Sequence, residues 1–310
     1  MQMDSFFIPN DRYITQTVWC WQVRGKGLNS KALTESQLEH YRTHGFVGGI
    51  DVLNPDQTAI AFRKLIALEA EELTHRPSQW LDESYQPWTE RGNPWWHWFK
   101  PMCTHPRIIA SVTSILGPNL LIRNADIFIK PIDVRLKNTD AKKHASGPMP
   151  QGSDCEIRWH VDTVAPTEAA GKMVTAWLGL TDSSLDNGCM EWIPGSHTMV
   201  MPPECQDKHS LSFQGKNLQM ANGSIRVANQ MQAGQLSIHH FRTVHRSGVN
   251  ITASPRVGLV IRFMAADVDP EVAESGRGFL AAGKPVDDRF TLRPTFPVTW
   301  KRSTESLIAP

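Results

Sequence analysis

The sequence predicts an α+β fold in which N-terminal helices brace one face of an antiparallel jelly roll. Helical periodicity is confined to the first part of the chain and stops at Gly117-Pro118. Short β-rich runs, separated by Gly, Pro, Asn and Asp clusters, take over after it. No Pro/Ser linker and no internal repeat divides the two textures, so helices and strands are expected to share one core. The expected organisation is a single domain over 1–310. Helical support lies mainly in 30–118, a jelly-roll core at about 119–268 and a C-terminal extension over 269–310.

The elements follow in order. Thr34-Glu35-Ser36-Gln37 is a capping-box pattern, in which a hydroxyl and an amide side chain satisfy each other's backbone N–H groups. It opens an amphipathic stretch through Leu38, Tyr41 and Arg42 to a stop at Gly45. Pro55 starts a second helix, with Ile60, Phe62, Leu65, Ile66 and Leu68 spaced for one buried face. A third runs from about Pro106 through Ile108, Ile109, Val112 and Ile115. Between them, Trp88, Trp95, Trp96, His97, Trp98 and Phe99 surround Gly92-Asn93-Pro94. That segment reads as a hydrophobic cluster pinning a loop, with a substrate-stacking wall as the alternative. Strands are expected at Leu120–Lys130, Glu156–Val161, Met173–Leu180, Gly188–Ile193, Gly234–His240 and Arg256–Met264. The polar segment 133–155 is too long for a hairpin and is expected to be a lid or a disordered loop.

Composition narrows the function. Lys+Arg number 32 against Asp+Glu 31, which leaves no basic surplus to neutralise a phosphate backbone, so nucleic acid is not an expected partner. No run approaches the roughly 18 apolar residues of a membrane span, and the most apolar stretch, 257–266, is broken by Arg262. Met1-Gln2-Met3-Asp4-Ser5 has neither a basic n-region nor an apolar core. The five cysteines (Cys20, Cys103, Cys155, Cys189, Cys205) are odd in number, widely spaced and without a CxxC, against a disulfide framework or thiolate zinc. A cytoplasmic protein with free thiols is expected, a monomer or homodimer acting on a small molecule away from membranes. Twelve His and eleven Trp against three Tyr are the first pointer to a site.

The strongest feature is Arg158-Trp159-His160-Val161-Asp162 at the end of a predicted strand. Alternate side chains of a strand share a face, so His160 and Asp162 can bind one metal ion. A third ligand must come from a distant strand, and His245 in Thr243-Val244-His245-Arg246-Ser247-Gly248 is the best candidate. Two imidazoles and one carboxylate make the facial triad of non-haem Fe(II) oxygenases, which leaves coordination positions open. Arg256 lies eleven residues after His245, at the start of a buried apolar strand where an unpaired cation is costly. Such an arginine wants a carboxylate, which its fork meets with two hydrogen bonds.

Taken together these segments resemble the phytanoyl-CoA dioxygenase family. The likeness is carried by Trp159-His160-Val161-Asp162, Thr175-Ala176-Trp177-Leu178-Gly179-Leu180-Thr181-Asp182, Asn187-Gly188-Cys189-Met190 and Ile193-Pro194-Gly195-Ser196-His197. His245-Arg246-Ser247-Gly248-Val249-Asn250 and Arg256 complete it in order, within a likeness that spans most of 33–265. The resemblance implies a double-stranded β-helix that uses Fe(II), 2-oxoglutarate and O2. It implies that His160, Asp162 and His245 hold iron, and that Arg256, helped by Ser247, clamps the distal carboxylate of 2-oxoglutarate. Lys130 and Trp177 match positions near the cosubstrate, with Asn124 and Asp126 on the strand face of Lys130. Asp126 departs from the pattern, since an acid beside a dicarboxylate is repelled unless paired. It faces substrate, or forms a salt bridge with Arg262. The implied reaction releases succinate and CO2 while an unactivated C–H bond is oxidised. Halogenating relatives carry a small residue where Asp162 stands, so hydroxylation, desaturation or ring formation is favoured over halogenation.

Arg158 and Thr163 flank the metal dipeptide and are substrate-contact candidates, as are Trp96, Trp98, His97 and Arg262. Of His239 and His240, which face opposite sides of a strand, one is expected in the core and one at the surface. His197 reads as a hydrogen-bonding structural residue. His40, His44, His75, His105, His144 and His209 are expected to be exposed. The leading expectation is an Fe(II)- and 2-oxoglutarate-dependent dioxygenase that hydroxylates a small molecule of natural-product or amino-acid-type metabolism. The alternatives are desaturation or cyclisation at the same iron, a 2-oxoglutarate-independent cupin-like metalloenzyme, and an inactive jelly-roll binding protein. The intact set of His160, Asp162, His245 and Arg256 opposes the last, and Arg256 opposes the 2-oxoglutarate-independent enzyme.

Overall fold

A computed structural model describes residues 32–75, 94–130, 132, 156–163, 170–199, 225–270, 277–286, 288, 290–293 and 298–302. Helix α1 (Glu35–His44) begins where the sequence places it. Thr34 Oγ1 accepts from the Gln37 amide at 3.2 Å while Gln37 Oε1 accepts from the Thr34 amide at 3.0 Å. Gly45 ends the helix in the left-handed region at φ 84°, a conformation that other residues resist. Asn54 and Gln57 repeat the reciprocal cap, at 2.9 Å in both directions, ahead of α2 (Pro55–His75). From Pro94 onward the tryptophan-rich segment is helical. Pro94 opens α3 (Pro94–Cys103), a position where proline's fixed φ and missing N–H suit a first turn. The N-cap of α4 (Pro106–Leu116) is His105, which is buried and accepts the Arg107 amide at 3.2 Å. The exposure expected for His105 is thus overturned, because the helix start needs its ring nitrogen as an acceptor.

The strands are β1 (Phe46–Asp51), β2 (Leu120–Lys130), β3 (Ile157–His160), β4 (Met173–Gly179), β5 (Met190–Trp192) and β6 (Val227–Ala228). After them come β7 (Gln235–His240), β8 (His245–Ser247), β9 (Arg256–Ala265), β10 (Arg277–Ala282), β11 (Thr291–Leu292) and β12 (Val298–Arg302). The major sheet runs β1-β7-β4-β9-β2-β10-β11, and β12 lies along the remainder of β2. The minor sheet runs β3-β8-β5-β6. Strands from both flanks of the expected core therefore join the sheets. β1 pairs with β7, while β10 and β12 pair with β2, which leaves β2 no open edge. β1 carries two glycines and no apolar alternation, and such strands are specified by their partner more than by their own sequence.

Alternation sorts the major sheet into two faces. Val174, Ala176 and Leu178 of β4 join Ile127, Ile129, Ile238, Leu259 and Ile261 in a core closed by Leu65, Phe99, Ile108 and Val112 of the helices. Thr175 and Trp177 point the other way, toward the minor sheet. There Phe46, Trp177, Met190, Trp192 and Met231 form a second cluster, with the Phe46 and Trp192 rings stacked at 4.3 Å. The result is an α+β jelly roll with helices on the outer face and the space between sheets left for chemistry. Among the described residues no helix is long and apolar enough to cross a membrane, and Cys103 and Cys189 are free thiols. Trp88 and the segment 133–155 lie outside the described residues.

Candidate metal and cosubstrate site

His160 ends β3 directly opposite His245 on β8. Just after β3, the Asp162 amide bonds to the Phe241 carbonyl at 2.8 Å, which turns the carboxylate in beside both imidazoles. One ligand atom from each of His160, Asp162 and His245 lies within 4.8 Å of the others, and the two His rings sit 4.1 Å apart. The His245 Nδ1–H donates to the Thr243 carbonyl at 2.9 Å, which leaves the Nε2 lone pair available for a cation. Burial, reinforced by the neighbouring His160 and His239, pushes the His245 pKa well below its usual value. Burial opposes ionisation of Asp162, but the hydrogen bond from His239 and the nearby guanidinium of Arg262 help to outweigh it and hold the carboxyl well below the usual range. A neutral imidazole and an ionised carboxylate are the protonation states that metal ligation requires.

A second constellation lies two residues along the same face of β8. Arg256 is only 2% exposed. Its Nη2 donates to Ser247 Oγ at 2.9 Å, and the Ser247 hydroxyl in turn donates to the Gly188 carbonyl at 2.8 Å. Nε has no partner, and no carboxylate among the described residues pairs with the guanidinium. Its central carbon lies 5.1 Å from the Trp177 ring and 5.6 Å from that of Phe128. Burial pushes the Arg256 pKa down to about 10, with Cys189 opposing the shift. Lys130 stands directly across from Arg256 on β2, and its ammonium donates to the Gly248 carbonyl at 2.5 Å and to that of Ser247 at 3.4 Å. The Trp177 ring reaches Arg256 only because residue 258 is glycine: a Cβ there would stand 2.4 Å from Cζ2 of the indole. A buried guanidinium with an unfilled fork is a socket for a carboxylate.

Asp126, which is buried, and the partly buried Arg262 form an ion pair beside this site. Burial lowers the Arg262 pKa, but Asp126 and Asp162 raise it by more. Asn124 faces Arg262 across β2 and β9. Thr163 is buried, with its amide 3.3 Å from the Phe241 carbonyl. Arg158 lies in β3, and Trp96 and His97 in α3, but their side chains are outside the described part of the structure. Trp98 is a correction. It is 2% exposed, packs edge-on against Phe99 at 4.8 Å and belongs to the core on the helix side of the major sheet, away from the triad. His197 is the structural residue expected, with Nε2 3.1 Å from the Arg42 carbonyl. His239 was missed. Both it and His240 are buried, and His239 Nε2 meets Asp162 Oδ2 at 3.0 Å.

Residues 41–258 match the phytanoyl-CoA dioxygenase family. The chain belongs to that family. Human peroxisomal phytanoyl-CoA dioxygenase is 25% identical over 264 residues, covering 77% of this chain and 71% of that one. Among solved structures, the apo non-heme monooxygenase ThoJ superposes with a TM-score of 0.58 at 21% identity, over 84% of this chain and 88% of its own. The epimerase SnoN, in complex with Fe3+, alpha ketoglutarate and nogalamycin RO, gives a TM-score of 0.52 at 24% identity, over 75% and 83%. These two likenesses establish the shared fold. As a phytanoyl-CoA dioxygenase family member the chain is an Fe(II)- and 2-oxoglutarate-dependent oxygenase. Its residues fit both groups: a His-Asp-His set in ligating protonation states, and a buried arginine fork with no carboxylate partner among the described residues.

Proposed function

We propose that His160, Asp162 and His245 hold Fe(II), and that Arg256 with Ser247 binds the distal carboxylate of 2-oxoglutarate. The reaction so served is hydroxylation of an unactivated C–H bond in a small molecule of natural-product or amino-acid type. The observation that carries this reading is Arg256, buried without a carboxylate partner among the described residues and hydrogen-bonded to Ser247, two residues along β8 from His245. When bound, the two groups supply oxidative chemistry driven by release of succinate and CO2. The chain's own residues bind, orient and keep dry. Ser247 orients the arginine fork, Trp177 and Phe128 wall it from water, and Lys130 adds a second positive charge facing the same space. Thr163, Asn124 and the Asp126–Arg262 pair are assigned to substrate contact on this reading. Asp162 completes the ligand set, which favours hydroxylation over outcomes that need a vacated position.

The experiment is anaerobic addition of Fe(II) and 2-oxoglutarate, with appearance of a weak visible band near about 500 nm, as expected of an open triad. Under O2, succinate release should rise with the right metabolite, whose mass gains about 16 on hydroxylation or loses about 2 on desaturation or ring closure. Asp162→Ala and His160→Ala should both lose the band and the succinate. Full activity in Asp162→Ala alongside an inactive His160→Ala would overturn the ligand assignment.

A further inference from the structure

We propose that His239 and Thr175 are positioning residues that cap one oxygen of Asp162 twice, so that the carboxylate meets the metal through its other oxygen alone. The proposal rests on the metal assignment above. Thr175 and His239 stand directly opposite each other on β4 and β7, on the inner face of the major sheet. Thr175 Oγ1 lies 2.5 Å, and His239 Nε2 3.0 Å, from the same atom, Asp162 Oδ2. An ionised carboxylate only accepts, so both neighbours donate, and Nε2 is the protonated nitrogen of His239. Among the described residues no donor reaches Oδ1.

This asymmetry has a coordination consequence. A carboxylate with both oxygens free can grip a cation at two points and take two positions. Two hydrogen bonds occupy the lone pairs of Oδ2 and leave one-point attachment through Oδ1. The position thereby left open is needed, because a 2-oxoacid attaches to the metal at two points of its own. His239 is also a costly residue for mere packing. Its ring is 1% exposed and held 4.5 Å from that of His245, and its Nδ1 has no partner. A phenylalanine would fill the space without burying an unpaired acceptor. The imidazole is explained by the bond that Nε2 makes.

The test uses Ni(II) as a redox-inert probe, titrated calorimetrically into metal-free protein, with thermal unfolding as the control for folding. His239→Leu and Thr175→Val should each weaken Ni(II) binding by roughly 10-fold or more, the usual scale for removing an outer partner of a ligand. His239→Gln, which returns an N–H of similar reach, and Thr175→Ser should recover most of that loss. In nickel-loaded Thr175→Val/His239→Leu, 2-oxoglutarate binding should also weaken, because the freed oxygen closes a position. Leu and Val variants that stay folded and bind Ni(II) like the parent would overturn the proposal. So would Gln and Ser variants no better than Leu and Val, a pattern that marks lost packing. Should His239→Leu fail to fold, the near-isosteric Thr175 pair decides alone. A parent that binds no Ni(II) overturns the metal assignment itself, whereas a binding parent with insensitive variants overturns only the positioning role.

Discussion

Replacing Arg256 with methionine separates what the buried cation costs from what it is for. Burial lowers its pKa from the usual guanidinium range to about 10, and at ~1.36 kcal/mol per tenfold change the charged form is disfavoured by on the order of 3 kcal/mol. The folded pKa lies below the unfolded one, so this penalty is present in full below pH ~10 and fades only as pH rises past about 10 toward the usual guanidinium range. Opposing it are the charge-assisted hydrogen bond to Ser247, about 1.5–3 kcal/mol, and the ring contacts with Trp177 and Phe128, about 0.5–2 kcal/mol. The two sides nearly cancel. Methionine occupies much of the side chain's volume, and exchanging a buried charge for a well-packed apolar group is often neutral or stabilising. The variant without ligand should therefore unfold at the parent's temperature or above it. With Ni(II) in place, 2-oxoglutarate at 100 times its Kd should stabilise the parent by ~2.7 kcal/mol, and the variant not at all. Circular dichroism melts of both proteins, with nickel and with or without 2-oxoglutarate, give the comparison. A variant that keeps the ligand-induced rise would refute the socket. So would one whose ligand-free melting point falls by more than the parent's ligand-induced gain, since Arg256 would then be supporting the fold.

Two further perturbations probe the surroundings. Gly258→Ala places a methyl 2.4 Å from Trp177 Cζ2, so the indole must move by about 1 Å to reach ordinary contact, at about 1–3 kcal/mol of stability. Its 2-oxoglutarate affinity should fall with that shift, and an unchanged melt and titration would mean the ring does not cover this backbone. For acid stability, burial pushes the His105 pKa from 6.5 down to about 4, so the folded state resists the proton and stability is lost as pH falls from 6.5 toward 4. Asparagine can keep the cap on the Arg107 amide without titrating. In urea unfolding at pH 7 and 4.5, His105→Asn should lose about 2–3 kcal/mol less than the parent. Equal losses would show that His105 protonation is not linked to folding.

What could be read from the sequence, and what could not, divides along one physical line. His160 and Asp162 were legible because strand parity acts over two residues, and Arg256 because a cation in an apolar run announces an unmet partner. The start of α1 was legible because a capping box is satisfied within three residues, and those of α2 and α4 because proline suits a first turn. His239 was not, although the parity of β7 was plain. Parity says only that His239 and His240 face opposite ways. Which of them faces the site depends on the pairing of β7 with β4, where His239 stands opposite Thr175. A slip of one residue would have turned His240 inward in its place. The same dependence hid β1, β10 and β12, which pair with β7 or β2 across 150 or more residues. It also misdirected Trp98, because an indole rich in contacts looks alike from the sequence whether helix packing turns it toward the core or toward a pocket. Long-range register therefore decides whether a residue is a ligand, a partner of a ligand or packing. The proposed metal ligands escaped that ambiguity because their chemistry is rare enough to identify them one by one, whereas the groups proposed to orient them are ordinary residues made specific by the sheet.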